Sequence, residues 1–391
     1  MDDLGLALRD ANWRMVEEAL PRGFRERAVA LKLIKADLPP QLGAKVTEVG
    51  IILRMILFKV ATNAALTTVV ASFAAAKVIE LSAVTLHNWL VKTGGYLGEL
   101  VKQLVAEQAY DLQKRHWAGF ELVLVDATCV QRPGATTTTA RVHRALRIPD
   151  LRIVEFVLTD EHGGETFRNF ATPKSGQLWI ADRGYANPPG IAWMVAHGAA
   201  VLVRHNRGSL PLFDAKGQRF DVEKKLLTQL QTPLRPRQWI VFVHAPDGSK
   251  IRGRLCAVRL PTEKAAAARE RLRREEGPSV TEEALAMSGF VTVFTTVDDE
   301  VLSCEEILEL YRLRWQVELD FKRDKSITGL DKLPNFKPET IESWIYAKLL
   351  LHQLARKLST PERALSPQCV GQALAPVADS ATPHQDSLCA A

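Results

Sequence analysis

The sequence predicts an α/β protein with an all-helical N-terminal region and a β-rich insertion. Three observations carry this. Residues 1 to about 110 repeat apolar side chains at helical spacing, through Trp13–Leu20, Phe24–Ile34, Val49–Leu57 and Ala64–Ile79. From about residue 118 short continuous apolar runs take over, at Leu122–Val125, Leu178–Ala181 and Ala199–Val203, with a further strand-like stretch, IVEFVL, at 153–158. Runs of that length suit strands buried on both faces. Between Arg204 and about residue 290 the chain changes again, to turn residues and short alternating strands.

The elements follow in order. Pro39, Pro40 and Gly43 mark a loop among the first helices. The apolar window Val60–Ala76 contains Thr62, Asn63, Thr67, Thr68 and Ser72 between two lysines, and reads as one buried helix and not a membrane span. Leu66 to Thr93 reads as two short helices. Ser82 caps the second and Gly94–Gly95 end it, an arrangement compatible with a DNA-binding helix-turn-helix. The run Leu122–Val125 ends in Asp126, and Leu178–Ala181 ends in Asp182. A Gly-Thr turn (Pro133–Thr139), a mixed stretch around Ala140–Leu146, a loop at Thr159–Gly164 and a short helix from Glu165 to Phe170 lie between them. Pro188 and Pro189 open a helix closed by Gly198. The insertion holds strands at 237–245 and 251–260, turning at Asp247–Gly248, and a basic helix at 263–276. A buried strand returns at Phe290–Thr296, and an amphipathic helix spans 335–358. The Ala-, Pro- and Ser-rich end, 359–391, reads as a disordered tail. The resulting division is 1–115 helical, 116–204 with 290–358 as the α/β domain, and 205–289 as the insertion.

Composition bounds the partners. The chain has 391 residues, 47% hydrophobic and 25% charged, which is globular composition. A net charge of +6 permits a nucleic-acid partner without demanding one. The five cysteines are scattered, with no CxxC spacing. That argues against a zinc site or a disulfide framework and fits a reducing compartment. The acidic start, MDDLGLALRDANWR, lacks a signal-peptide core, so a cytoplasmic location without membrane is expected.

The chemistry concentrates in YRLRWQVELDFKRDK, Tyr311 to Lys325. No Gly or Pro interrupts it, so it reads as one helix. At about 100° per residue, Tyr311, Arg314, Glu318 and Lys325 fall within roughly 60° of arc, with Trp315 beside them. Alone, such a stripe equally describes exposed ion pairs. An acid among cations also suits a metal-holding carboxylate whose neighbours hold phosphates. Asp126 and Asp182 at strand ends supply the other acids, since ligands collect beyond the carboxyl ends of strands in open α/β sheets. Three converging carboxylates need a cation, and hard oxygen donors select Mg²⁺ or Mn²⁺. Asp160, Asp298, Asp299 and Asp320 read as solvated or turn acids, with Asp320 about 180° from Tyr311. His143 and His162 receive no role.

Val125–Thr128 (VDAT), Asp182–Ala186 (DRGYA) and the Tyr311–Lys325 stretch together resemble bacterial insertion-sequence transposases of the DDE type. The branch is the one marked by a Tyr-x2-Arg-x3-Glu-x6-Lys (YREK) signature. The signature is complete here as Tyr311, Arg314, Glu318 and Lys325, and the resemblance covers roughly 118 to 350. It implies an RNase H-like mixed sheet flanked by helices, in which Asp126, Asp182 and Glu318 hold two Mg²⁺ ions, with Mn²⁺ able to substitute. It implies that Tyr311, Arg314 and Lys325 contact phosphates at the transposon end, with Arg183 a further contact and Trp315 or Trp239 a stacking platform. The implied partners are double-stranded DNA, as terminal inverted repeats and as target, and a second copy of the chain. The short region after the signature departs from members with a sizeable C-terminal dimerisation domain. Three competing readings are a DNA-binding remnant without catalysis, an RNase H-like nuclease without strand transfer, and a structural helical protein with Asp126 and Asp182 far apart.

Overall fold

The computed structural model describes residues 13–34, 48–109, 117–135, 137–148, 151–171, 173–331, 333–334 and 338–358. The loop at Pro39–Gly43 and the tail after 358 lie outside the described residues.

Among the described residues six helices come first: α1 (Trp13–Ala19), α2 (Phe24–Ala30), α3 (Val49–Thr62), α4 (Leu66–Ala75), α5 (Ala83–Lys92) and α6 (Gly94–Ala109). The window Val60–Ala76, expected as one helix, is divided between α3 and α4. Thr62 Oγ1 turns back to the Phe58 carbonyl at 2.8 Å, and Asn63 takes a left-handed conformation at φ 52°. Both residue types compete with helix continuation by local bonding or tolerance of positive φ. Ser82 caps α5 by accepting from Thr85 N at 3.1 Å. Gly94 and Gly95 do not end that region; they open α6. The glycines serve close approach. A Cβ on Gly94 would lie 2.8 Å from Glu342 Oε2, and one on Gly98 would lie 2.9 Å from the Tyr346 ring.

The remaining elements build one eight-stranded sheet in the order β3-β2-β1-β4-β5-β8-β7-β6. Its strands are β1 (Glu121–Val130), β2 (Ala140–Arg147), β3 (Arg152–Asp160), β4 (Gln177–Ala181), β5 (Ala200–Arg204), β6 (Arg237–His244), β7 (Lys250–Arg259) and β8 (Phe290–Thr295). β1, β2 and β3 form an antiparallel meander, β4 and β5 run parallel to β1, and β8 turns antiparallel against β5. This mixed core, flanked by helices, is RNase H-like. The hairpin β6–β7 continues the same sheet through β8. The connecting helices are α7 (Pro188–Ala196), α8 (Val222–Gln229), α9 (Thr262–Glu276) and α10 (Glu282–Met287), followed by α11 (Cys304–Arg312), α12 (Trp315–Thr328) and α13 (Ile341–Leu358). The helix expected at 165–170 is a single short turn, Phe167–Asn169, capped by Thr166.

Alternation along the strands divides the core in two. Leu122, Leu124, Leu178, Ile180 and Leu202 pack with the N-terminal helices and α11–α13. Val123, Val125, Trp179, Ala181, Val201 and Val203 pack on the other face with α7 and α8. The mixed stretch 140–146 is a full strand, β2. Its buried His143 and Arg144 obscure the apolar pattern, but each has partners: His143 Nδ1 shares a hydrogen bond with the Tyr185 hydroxyl at 3.0 Å, and Arg144 meets Asp320.

Candidate active site

The alternation sets the first acid. Asp126 continues the Leu122–Leu124 face, toward α11–α13. It does not end its strand: β1 runs on to Val130 because β2 keeps pairing with it, Asp126 opposite Arg144. What ends there is the parallel pairing with β4, whose last pair is Val125 with Ala181. Asp126 therefore sits where β4 leaves the sheet. Asp182, the next residue after β4, follows the same alternation as Leu178 and Ile180. It caps the turn Arg183–Tyr185, accepting from Gly184 N at 2.8 Å.

The stretch carrying the third acid is not one continuous helix. α11 ends at Arg312 and α12 begins at Trp315. Between them Arg314 N bonds to Tyr311 O at 3.1 Å, and Val317 N to Arg314 O at 3.2 Å, a tightened i→i+3 pattern. Three residues per turn eclipse i and i+3, so Tyr311 and Arg314 stack on the same side. Both are buried. Arg314 reaches across the sheet edge, its Nη1 3.9 Å from Asp126 Oδ2 and its Nη2 3.5 Å from Glu318 Oε2. Glu318 Oε1 also meets Lys322 Nζ at 3.0 Å.

One cavity gathers these groups. Asp126, Asp182, Arg183, Arg314 and Glu318 all line it. The reading of a helical protein with two distant aspartates therefore fails. Tyr311 lies beneath Arg314, with a hydroxyl that makes no hydrogen bond among the described residues. Burial pushes that hydroxyl up to about 12. Trp315 lies under the Lys322 ammonium, 4.4 Å from its ring centroid, and Lys325 stands on the last turns of α12, half-buried, outside the cavity wall.

Sequence reasoning missed several of the cavity's neighbours. Arg204, Arg207 and Arg271 add guanidinium groups to its wall. Arg204 was accessible by parity, since it continues the Leu202 face at the end of β5. Glu165 is a further acid. It packs over Gly184, where a Cβ would collide with its carboxylate. Burial and Asp182 push its carboxyl up. No periodic signal marks it, because it lies in an irregular loop. Asp320, expected to be solvated, is buried against Arg144.

The donor set fits a hard divalent cation. Burial first, and then the Asp182 carboxylate, push Asp126 up to about 7, although Arg314 pulls the other way. A cation between two such carboxylates reverses that penalty. Among the described residues no three acids, histidines or cysteines stand close enough to enclose one ion together. Glu318 is drawn instead to Arg314 and Lys322.

A mixed RNase H-like sheet that brings acidic side chains to one cavity fits a DDE-type enzyme. Residues 117–354 match the family described as Transposase DDE domain. The chain is 32% identical over 301 residues to a putative transposase, InsL, for insertion sequence element IS186A of Escherichia coli (strain K12), covering 75% of this chain and 80% of that protein. The transposase for insertion sequence element IS421 of Escherichia coli matches to the same extent. The transposase for IS231F of Bacillus thuringiensis subsp. israelensis is 26% identical over 286 residues, 64% of this chain and 59% of that protein. The chain belongs to the transposase DDE domain family and is a DNA transposase, in a class of enzymes that uses divalent metal. Among the described residues no helix is long and apolar enough to cross a membrane.

Proposed function

We propose that this transposase cuts DNA at the terminal inverted repeats of its element and joins the freed ends to target DNA, with Asp126, Asp182 and Glu318 as its catalytic acids. The observation that carries the reading is the single cavity in which these acids meet guanidinium groups. Asp126 and Asp182 would hold two Mg²⁺ ions, or Mn²⁺ in their place, and Glu318 would complete the set. Bound ions supply an activated water or hydroxyl and stabilise the leaving oxygen of a phosphodiester.

The chain's own residues do the rest. Arg314 is shared between Asp126 and Glu318, within ion-pair distance of both. A phosphate entering the cavity competes for that guanidinium, which frees Glu318 to turn inward. Arg183, one residue from Asp182, contacts the same strand. Tyr311 supports Arg314 from beneath, and Lys325 and Trp315 contact DNA further along α12. In the first step a water oxygen attacks phosphorus and the element's 3′ oxygen leaves, taking up a proton. In the second that 3′-hydroxyl attacks a target phosphodiester in line and displaces a target 3′ oxygen. Joining two ends requires a homodimer on DNA. Residues 1–115 would read the ends, 205–289 would flank the catalytic cavity as an insertion, and the protein would work in the bacterial cytoplasm beside the nucleoid.

The test is an end-cleavage assay on linear DNA carrying the inverted repeats, with Mg²⁺, comparing wild type and Glu318→Gln. Cutting and joining by wild type alone supports the reading. Equal cutting by both removes Glu318 from the site. Binding without cutting by either indicates a DNA-binding remnant, and cutting without joining indicates a nuclease.

A further inference from the structure

Asp320 lies two residues beyond Glu318, about 200° around the helix. It is 5% exposed. It accepts from Arg144 Nη1 at 2.6 Å, and Arg356 Nη1 stands 3.5 Å away on its other oxygen. Arg144 is fully buried on β2, and its guanidinium lies 4.5 Å from the Phe321 ring centroid. Arg356, on α13, also donates to the Leu151 carbonyl. One carboxylate thus ties α12 to β2 and to α13. The strand register adds the significant point: Arg144 is the direct cross-strand partner of Asp126. The clamp on one side of α12 is anchored beside the very acid that Glu318 must reach from the other side.

We infer that Asp320 and Arg144 are positioning residues, which set the rotation of α12 so that Glu318 faces Asp126. The inference rests on the reading of Glu318 as a metal-holding acid. The helix needs such a device. Leu313 and Arg314 keep right-handed helical dihedrals but form a tightened i→i+3 turn just before α12, so α12 is rotated from the phase a uniform α-helix would give it. Among the described residues, the buried apolar contacts of α12 come from Val317 and Phe321, and apolar burial is non-directional. A buried ion pair is directional and contributes little net stability, so its use here is orientation. Neither residue touches the cavity, so neither is catalytic.

The test uses Arg144→Met/Asp320→Leu, which replaces the pair with apolar volume, and Arg144→Lys, which keeps the charge and loses the planar fork. Each is compared with wild type and Glu318→Gln in melting temperature, affinity for end DNA, cleavage rate at saturating DNA, and Mn²⁺ affinity read directly by electron paramagnetic resonance. The double variant should keep its melting temperature and DNA affinity, cut about 10- to 100-fold more slowly, and bind Mn²⁺ about tenfold more weakly. Arg144→Lys should shift in the same direction, and it decides the matter should the double variant not fold. A purely structural role would lower the folded fraction without changing Mn²⁺ affinity, and that result overturns the inference. If Glu318→Gln itself cuts normally, the reading of the acid trio has failed. If Glu318→Gln is dead and the folded clamp variants bind Mn²⁺ and cut like wild type, only the clamp has failed.

Discussion

Two clusters of charge share α12 and are built in opposite ways. On one side Glu318 is 29% exposed, and its contacts to Arg314 and Lys322 span 3.5 and 3.0 Å, with the far end of Arg314 3.9 Å from Asp126. On the other side Asp320 is almost sealed and meets Arg144 at 2.6 Å. The first cluster is loose, open to a cavity, and shares one guanidinium between two acids. The second is closed, with two guanidiniums on one acid. Loose sharing leaves groups that a phosphate or a cation can recruit; tight closure leaves only geometry to enforce. The same residue types at neighbouring positions thus differ in role because burial differs, not because their chemistry does.

The largest effect should come from breaking the open cluster at its acid. Glu318→Gln keeps volume and removes a charge that is already outnumbered by cations. End cleavage should fall by at least about 10³-fold, several kcal/mol of barrier, while the melting temperature hardly moves. Stopped-time cleavage gels and a thermal melt on the same preparation check both halves.

Breaking the closed cluster should add a loss of stability to a smaller loss of cleavage. Asp320→Asn leaves Arg144 and Arg356 facing an amide in place of a carboxylate, inside the core. Removing one partner of a buried pair costs about 3–5 kcal/mol, so chemical denaturation should show a large fall in stability. The apolar double replacement should restore much of it, since Arg144 is gone and Arg356, which is partly exposed, still donates to the Leu151 carbonyl. A fall for Asp320→Asn that the double variant does not restore would mean that the pair stabilises in its own right.

The pH dependence sharpens the comparison from the open side. Asp126 is pushed from 3.8 up to about 7 by burial and by Asp182. A carboxyl that binds its proton more tightly when folded costs stability once pH exceeds the unfolded value, and the cost grows until about pH 7. In metal-free buffer Asp126→Asn should therefore raise stability by about 1–3 kcal/mol at pH 7.5, and should be near neutral at pH 4. Denaturant melts at the two pH values, with chelator present, measure the difference. Saturating Mg²⁺ should cancel the gain, because a cation between the carboxylates favours wild type.

Much of this arrangement was legible in the sequence. The strand runs ending at Asp126 and Asp182 placed two acids at one sheet edge, and the spacing of Tyr311, Arg314 and Glu318 placed a third on a helix. Apolar runs are legible because burial on both faces needs no partner to be named. The illegible parts depended on partners distant in the chain. β2 was obscured by His143 and Arg144, polar residues whose burial is compensated by partners elsewhere in the chain, Tyr185, Thr159 and Asp320 among them. Asp320 looked solvated because its angle on the helix says where it points but not what lies there. The break before Trp315 has no Gly or Pro to announce it. Gly94 read as a helix end, when its missing side chain makes room for Glu342.

The smallest effect should come from an ion pair with neither a cavity nor a core. Arg14 and Glu18 stand one turn apart on α1, with Nε 3.0 Å from Oε1, side chains 88% and 67% exposed. This distance is shorter than any within the Arg314 cluster except Lys322 to Glu318, which it equals. If proximity alone set the worth of a charge pair, Glu18→Ala would rival the variants above. Water already solvates both groups and side-chain ordering offsets what attraction remains, so the melting temperature should be unchanged within error. Cleavage should be unchanged as well, since α1 lies far along the chain from the acids and lines no part of their cavity. A measurable loss in either would show that distance, not burial, ranks these clusters, and would undo the contrast drawn between the two faces of α12.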